Sequence, residues 1–318
     1  MSHPFRDEAR FASRVGGCGC ICLPASSNPA SLAHLKKIAL GIETAPEATD
    51  GWLANLDLGF ERRGERTVLA TKRQRGPLTV QRPFYPEEDV CHLYLLHPPG
   101  GVVGGDRLEI DLSVADGAQA LVTTPGAAKF YRSAGPRAVQ RQTLRVADGG
   151  LLEWFPQENI LFPGARLRTE THVDLVGAAR FVGWELHSLG RPVIGERFTQ
   201  GDAGLGFRLN RDGLPLLKDR LRLSDERDLD GPSGLRGFPV CGTFVATGAR
   251  QVDLDAAREV SPDPLDFPFG VTLVDDLIVA RCLAHAVEPA NRIFRSLWGI
   301  LRPRLAGRDA CPPRIWAT

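Results

Sequence analysis

From Gly51 onward, apolar and polar residues alternate in short runs broken by glycine, the period-two pattern of half-buried β-strands. WLANLDLGFERRGERTVLATKRQRGPLTVQR opens this region, and CHLYLL (91–96) and RLEIDLSV (107–114) follow. In RLEIDLSV, Leu108, Ile110 and Leu112 fall on one face and Arg107, Glu109 and Asp111 on the other. The glycine-rich HPPGGVVGGD between these runs therefore joins two strands. A weaker regularity lies above this one. VADGAQALVTTP (114–125), VADGGLLEWFPQ (146–157) and DLVGAARFVGWE (174–185) each place a glycine turn before an apolar strand. They recur at about thirty residues, the spacing of stacked repeat units. The pattern predicts a mostly β protein whose strands stack in a roughly helical, β-solenoid or sandwich-like array rather than a βαβ sheet.

The period changes near the C-terminus. In EPANRIFRSLWGILRPRL (288–305), Ile293, Phe294, Leu297 and Leu301 recur at helical spacing. Pro289 suits an early helix position, and Pro303 is expected to end or kink the helix. Few other helices are expected. Residues 1–50 are rich in Ser, Ala, Pro and Gly and contain one short helical stretch, SLAHLKKIAL. They read as a poorly ordered extension, and residues 51–318 as a single β-rich domain.

Composition narrows the partners. The chain has 318 residues, 43% hydrophobic and 24% charged, ample for a sizeable core. A net charge of +1 gives no reason to expect nucleic acid. The densest basic run, Lys72-Arg73-Gln74-Arg75, reads as a solvated edge or turn. No apolar run approaches the ~18 residues of a membrane span, and the first residues carry Asp7 and Glu8 without an apolar leader core. Cys91, Cys241 and Cys282 sit in apolar strand-like runs and read as buried hydrophobes, in keeping with a reducing cytoplasm. Cys18, Cys20 and Cys22 offer thiolates to a soft metal but have no histidines nearby, so they read as an incidental cluster.

The glycine loop has the two-glycine spacing of a phosphate-binding loop. Asp106 replaces the lysine, Arg107 replaces the Ser or Thr, and a strand follows instead of a helix. Nucleotide binding there lacks its anion site. The glycines read as a tight connection, with Asp106 accepting backbone N–H groups in the turn. In TTPGAAKFYRS, Lys129, Tyr131 and Arg132 form a candidate partner-binding cluster. Glu153 and Glu158 in LLEWFPQENILFPGA, and Glu185 in VGWELHSLGR, are carboxylates in apolar surroundings that need partners. Glu185 and His187 share a strand face and form a weak oxygen–nitrogen ligand pair, although a satisfied core pair explains them more readily. His92 and His97 point to opposite faces and do not share a metal. No HExxH, CxxC or GxSxG motif marks a catalytic centre.

Taken together, HLYLLHPPGGVVGGDRLEIDL, TTPGAAKFYRS, LEWFPQENILFPGA, LGRPVIGERF and CPPRIWAT resemble the urease accessory protein UreD (UreH) family from about Gly51 to the C-terminus. The chain departs from the family pattern at Asn159 and at His187-Ser188. The resemblance implies a β-rich helical stack of strands with a pair of helices. It implies a non-catalytic scaffold that binds urease apoprotein, bridges it to UreF and the GTPase UreG, and assists nickel delivery to the di-nickel site. No tightly bound cofactor is expected, only transient Ni²⁺. A conduit holds Ni²⁺ loosely through carboxylates, carbonyls and water. In this reading Glu153, Glu158 and Glu185 line a water-filled path, and Asp106 shapes the loop or faces that path. The other readings are a carbohydrate-active enzyme on a β-solenoid, built on a carboxylate pair such as Glu153 and Glu158, and a passive structural repeat protein.

Overall fold

The computed structural model describes residues 51–260 and 266–317. The extension over residues 1–50, with SLAHLKKIAL and the Cys18, Cys20 and Cys22 run, lies outside the described residues. The chain opens with β1 (Leu53–Arg63), β2 (Arg66–Arg75), β3 (Thr79–Val80) and β4 (Cys91–Leu96). Its central coils contain β5 (Arg107–Val114), β6 (Gln119–Thr123), β7 (Ala128–Phe130), β8 (Ala138–Val146), β9 (Leu151–Phe155), β10 (Asn159–Leu161), β11 (Ala165–Leu175) and β12 (Arg180–Arg191). Then come β13 (Glu196–Arg197), β14 (Gly201–Arg211), β15 (Leu214–Leu223), helix α1 (Glu226–Asp230) and β16 (Val240–Thr247). Helix α2 (Gln251–Arg258), β17 (Phe269–Val274), β18 (Leu277–Ala284) and helix α3 (Val287–Ala306) complete the order.

The stacked β architecture that the alternation predicts is present. One sheet runs β15-β14-β11-β8-β5-β1-β2 and a second runs β17-β18-β16-β12-β9-β6-β4-β3. Equivalent strands of successive coils pair in parallel, as in β5/β8, β8/β11, β6/β9 and β9/β12. A narrow third strip joins β7 to β10 and β10 to β12. The thirty-residue echo is the coil repeat itself. Val114 pairs with Val146 and Val146 with Leu175. Gly117, Gly149 and Gly177 take left-handed φ values of 63°, 64° and 52° in stacked corner turns. Hydrogen bonds link those corners, from Ala147 N to Val114 O at 2.8 Å and from Val176 N to Val146 O at 3.0 Å. The Lys72–Arg75 run lies on edge strand β2, exposed, where charge opposes edge-to-edge pairing.

Register decides what the interior contains. One inward row of the first sheet is Leu58–Leu112–Leu144–Val173–Leu209, and it is dry and aliphatic. Two neighbouring rows turn polar in the middle coils: Ala54–Leu108–Gln140–Thr169–Leu205 and Leu56–Ile110–Gln142–Thr171–Phe207. Gln140, Gln142, Thr169 and Thr171 are all buried. The space between the sheets is therefore apolar at one end and polar at the other.

Helix α3 covers the outer face of the second sheet. Ile293, Phe294, Leu297 and Leu301 are buried there, as their spacing predicts, beside an aromatic cluster in which Phe155 stacks on Trp184 at 4.2 Å. Pro303 does not end this helix. The helix continues to Ala306 and is capped by left-handed Gly307, because the buried face extends through Leu305. The anchor of α3 is Arg302, fully buried and bonded to two carboxylates: Glu153 at 2.8 Å and Glu87 at 2.6 Å. Trp298 Nε1 donates to Glu153 at 2.6 Å, and His92 Nε2 donates to Glu87 at 2.7 Å.

This cluster makes two predictions. Arg302→Met leaves Glu153 as a buried, unpaired charge and is expected to cost about 3–5 kcal/mol, read as a lower melting temperature. Burial alone would raise the Glu87 carboxyl, but hydrogen bonds from His92 and Arg302 hold it at about 2 instead of 4.5. An acid depressed by folding stabilises the fold fully above its unfolded value. The contribution, of order 3 kcal/mol, is lost as pH falls from about 4.5 toward 2. Urea unfolding should find Glu87→Gln much less stable than the parent at pH 6, with the gap narrowing at pH 3.

Candidate functional site

Two cavities, of about 450 Å³ and 480 Å³, open beside the two partly polar rows of the first sheet, and both are lined by Glu185. The first lies behind the glycine loop and is walled by His97, Gly101, Lys129, Gln140, Gln142 and Trp154. The second reaches the other side through His187, Phe207, Asp219, Cys241 and Arg281. Glu185 is placed between them because β12 alternates its faces and Glu185 points inward, toward the polar rows of the first sheet. Thr171 Oγ1 lies within hydrogen-bonding distance of both Glu185 Oε1 and Gln142 Oε1, the latter at 3.0 Å. A hydroxyl has one proton, so it serves one of these acceptors at a time. His187 Nε2 is 3.8 Å from Glu185, and Asn159 contacts His187 Nδ1 at 3.3 Å. Buried Trp154 Nε1 has no hydrogen-bond partner and lines the first cavity, so this wall offers a donor to water.

Cys241 is the cross-strand neighbour of His187. Burial first, then the nearby Cys282, Asp219 and Glu185, pushes its thiol up to about 12. It is held as a neutral thiol and has little thiolate affinity for metal. Among the described residues, no three His, Cys, Asp or Glu side chains converge as a metal-holding group. The lining is mainly apolar, with separate oxygen, nitrogen and thiol groups set into it.

The four carboxylates singled out by sequence have four different settings. Only Glu185 among them lines the inner cavities. Glu153 lies on the opposite face of the same sheet, with no exposed surface, and Arg302 and Trp298 occupy its oxygens. Glu158 lies in an outer cleft beside α3, where burial raises its carboxyl and a hydrogen bond from its own backbone N–H, then the charge of Arg295, lower it less. Asp106 is buried in the loop it closes, accepting from Trp52 N at 2.9 Å and Val103 N at 3.0 Å. Two glycines of that loop are there for contact, since a Cβ on Gly101 would lie 2.1 Å from the Tyr131 ring and one on Gly104 2.1 Å from Ser133 Oγ, and two for conformation, Gly100 and Gly105 taking left-handed φ values of 77° and 99°. Lys129, Tyr131 and Arg132 are all exposed on and just after β7, with Tyr131 packed on Phe162 at 4.9 Å. Gln140, Gln142 and Thr171 are functional candidates the sequence reading missed. Their signal was available, because they occupy inward positions in otherwise apolar-facing alternations.

Comparison with known proteins bears on this arrangement. A model of the UreD urease accessory protein family matches residues 53–317. Proteins named urease accessory protein UreD are similar over most of the chain. That of Alcanivorax borkumensis is 50% identical over 273 residues, covering 84% of this chain and 93% of that protein. That of Azoarcus sp. (strain BH72) is 50% identical over 277 residues, covering 85% and 96%. That of Klebsiella aerogenes is 46% identical over 273 residues, covering 86% and 99%.

The matched span includes the loop that Asp106 closes. Asp106→Asn replaces one accepting oxygen with an amide group that faces a backbone donor. It is expected to destabilise the fold by about 1–3 kcal/mol, measured by denaturant unfolding.

Proposed function

The chain belongs to the UreD family of urease accessory proteins, and from that premise we propose that it is a non-catalytic scaffold and nickel conduit. In this reading it binds urease apoprotein with UreF and the GTPase UreG, in the cytoplasm, while Ni²⁺ passes through its interior toward the urease active site. The observation that carries the proposal is that Glu185 lines both inner cavities. A hydrated divalent cation is drawn to a single carboxylate in a low-dielectric channel. Glutamine, threonine and asparagine oxygens replace part of its water without holding it tightly. The neutral Cys241 thiol and the scattered placement of His187 and Glu185 keep the passage from becoming a trap. The exposed Lys129, Tyr131 and Arg132 flank the loop at the first cavity and suit contact with a partner.

The glycan-cleaving alternative requires two carboxylates across an open groove. Glu153 is sealed beneath Arg302 and Trp298, so the pair it would form with Glu158 is not available.

Glu185→Gln keeps the shape and hydrogen bonding of the junction and removes its charge. With all other urease components co-expressed, nickel bound per urease is expected to fall about tenfold, the lower range of electrostatic focusing. Recovery of the assembled complex should not change. Full nickel loading of urease by the Glu185→Gln variant would sink the conduit reading.

A further inference from the structure

The outer face of the first sheet divides by charge. From β2 across to β11, cations alternate with carboxylates: Arg73 lies 3.9 Å from Asp57, Arg145 3.4 Å from Asp111, and Arg141 3.9 and 3.7 Å from Glu109 and Glu170. Over β14 and the edge strand β15 that balance is lost. Arg208, Lys218, Arg220 and Arg222 are all exposed, and none forms an ion pair among the described residues. The carboxylates around them are occupied. Glu170 is held by Arg168 at 2.7 Å, Asp174 accepts from the Asn210 amide at 2.8 Å, and Asp219 turns inward to Arg281 at 2.9 Å. Asp228 of α1, within electrostatic reach of Arg222, accepts from the backbone N–H groups of Ser224 and Asp225.

Protection of an exposed edge accounts for charge on β15. It does not account for Arg208, which lies one strand in and directly opposite Lys218, a like-charge pair that weakens a sheet. Nor does it account for Gly204 and Gly206, the cross-strand neighbours of Arg222 and Arg220. Neither glycine takes a left-handed φ, and an added Cβ would meet nothing nearer than 3.9 Å at Gly204 and 3.6 Å at Gly206. Folding requires glycine at neither position. Glycine inside a strand weakens it and suits the close approach of another backbone. The two leave a strip without side chains between Arg168 on β11 and the cations of β15.

We propose that this strip seats an extended, acidic segment of a partner protein, with its backbone over Gly204 and Gly206 and its carboxylates on Arg208, Lys218, Arg220 and Arg222. Alternate residues of an extended chain repeat at about 7 Å, and Lys218, Arg220 and Arg222 have the same repeat. Arginine adds paired N–H donors that fit a carboxylate. Single-stranded nucleic acid fits less well, because it binds by stacking on aromatic rings. Phe207 is the one Phe, Tyr or Trp ring in β11, β14 and β15, and it is buried. A second copy would bring like charge to the same face. The proposal rests on the scaffold reading and gives the chemistry of one docking surface.

The test uses the full chain, affinity-tagged and co-expressed with urease apoprotein, UreF and UreG, and quantifies each partner recovered on the tag. Arg220→Glu/Arg222→Glu is expected to reduce recovery of one partner about tenfold or more, since like charges across an interface repel. Gly204→Val/Gly206→Val fills the strip without changing charge. It is expected to reduce recovery of the same partner severalfold, with a melting temperature at or above the parent's, because valine favours a strand. Recovery should fall with added salt, and less steeply for Arg220→Gln/Arg222→Gln. Wild-type recovery by both the glutamate and the valine variants overturns the proposal and leaves the scaffold reading intact. Loss in only one of the two overturns it as well, leaving attraction without a seat or a seat without charge selection. Recovery that nuclease treatment abolishes assigns the face to nucleic acid, and self-association of the isolated chain that Arg220→Glu/Arg222→Glu abolishes assigns it to a second copy. Either result overturns the partner assignment. Failure of the parent chain to recover any partner overturns both readings.

Discussion

Parallel, in-register stacking of the coils is the constraint from which the other features follow. Each backbone bond between equivalent strands sets a residue above its counterpart one coil away, so a side chain has neighbours of its own row on both sides. Where a row is aliphatic, as in Leu58–Leu112–Leu144–Val173–Leu209, the stack closes into a dry core. Where two successive coils place glutamine and threonine in a row, they cannot close on apolar neighbours. The space beside Gln140 and Gln142 stays open as the first cavity. The same stacking brings Gln140 and Gln142 to the wall of the first cavity and Leu205 and Phe207 to that of the second.

Two glutamates on one sheet show how strongly the face decides the chemistry. Glu153 points outward under α3 and is neutralised by Arg302, which it helps fix to the solenoid. Such a buried ion pair is costly to break and closed to solvent. Glu185 points inward, lies 3.8 Å from His187, and borders two cavities. A carboxylate that anchors a helix and one that borders open space differ here in strand parity, not in residue type.

Arg302 joins the two parts of this design. Through Glu87 and His92 it reaches the β4 region, and through Glu153 it reaches β9, so α3 is held across several coils. The same helix supplies Asn291 and Arg295 to the outer cleft. The clamp therefore fixes the position of a surface feature as well as the cover over the second sheet.

Local pattern was enough for the elements. The alternation in RLEIDLSV, the recurring glycine turns and the 3.6-residue spacing of Ile293, Phe294, Leu297 and Leu301 each report a backbone preference set within a few residues. They carried the stacked-strand class, the coil repeat and the main helix. The buried Cys91, Cys241 and Cys282 and the exposed basic run on β2 were legible for the same reason. The short strands β7 and β10 were not, since three residues carry too little period. Nor was the continuation of α3 through Pro303, which depends on burial of Leu305 against distant strands. The site was legible as a set of residue types: carboxylates in apolar surroundings, and a loop too glycine-rich to be incidental. Which carboxylate faces the interior, which meets an arginine 149 positions away, and which is left in an open cleft was decided only by tertiary structure. The physical reason is that burial and pairing of a charge depend on neighbours brought together by coil stacking, and adjacency along the chain does not encode them.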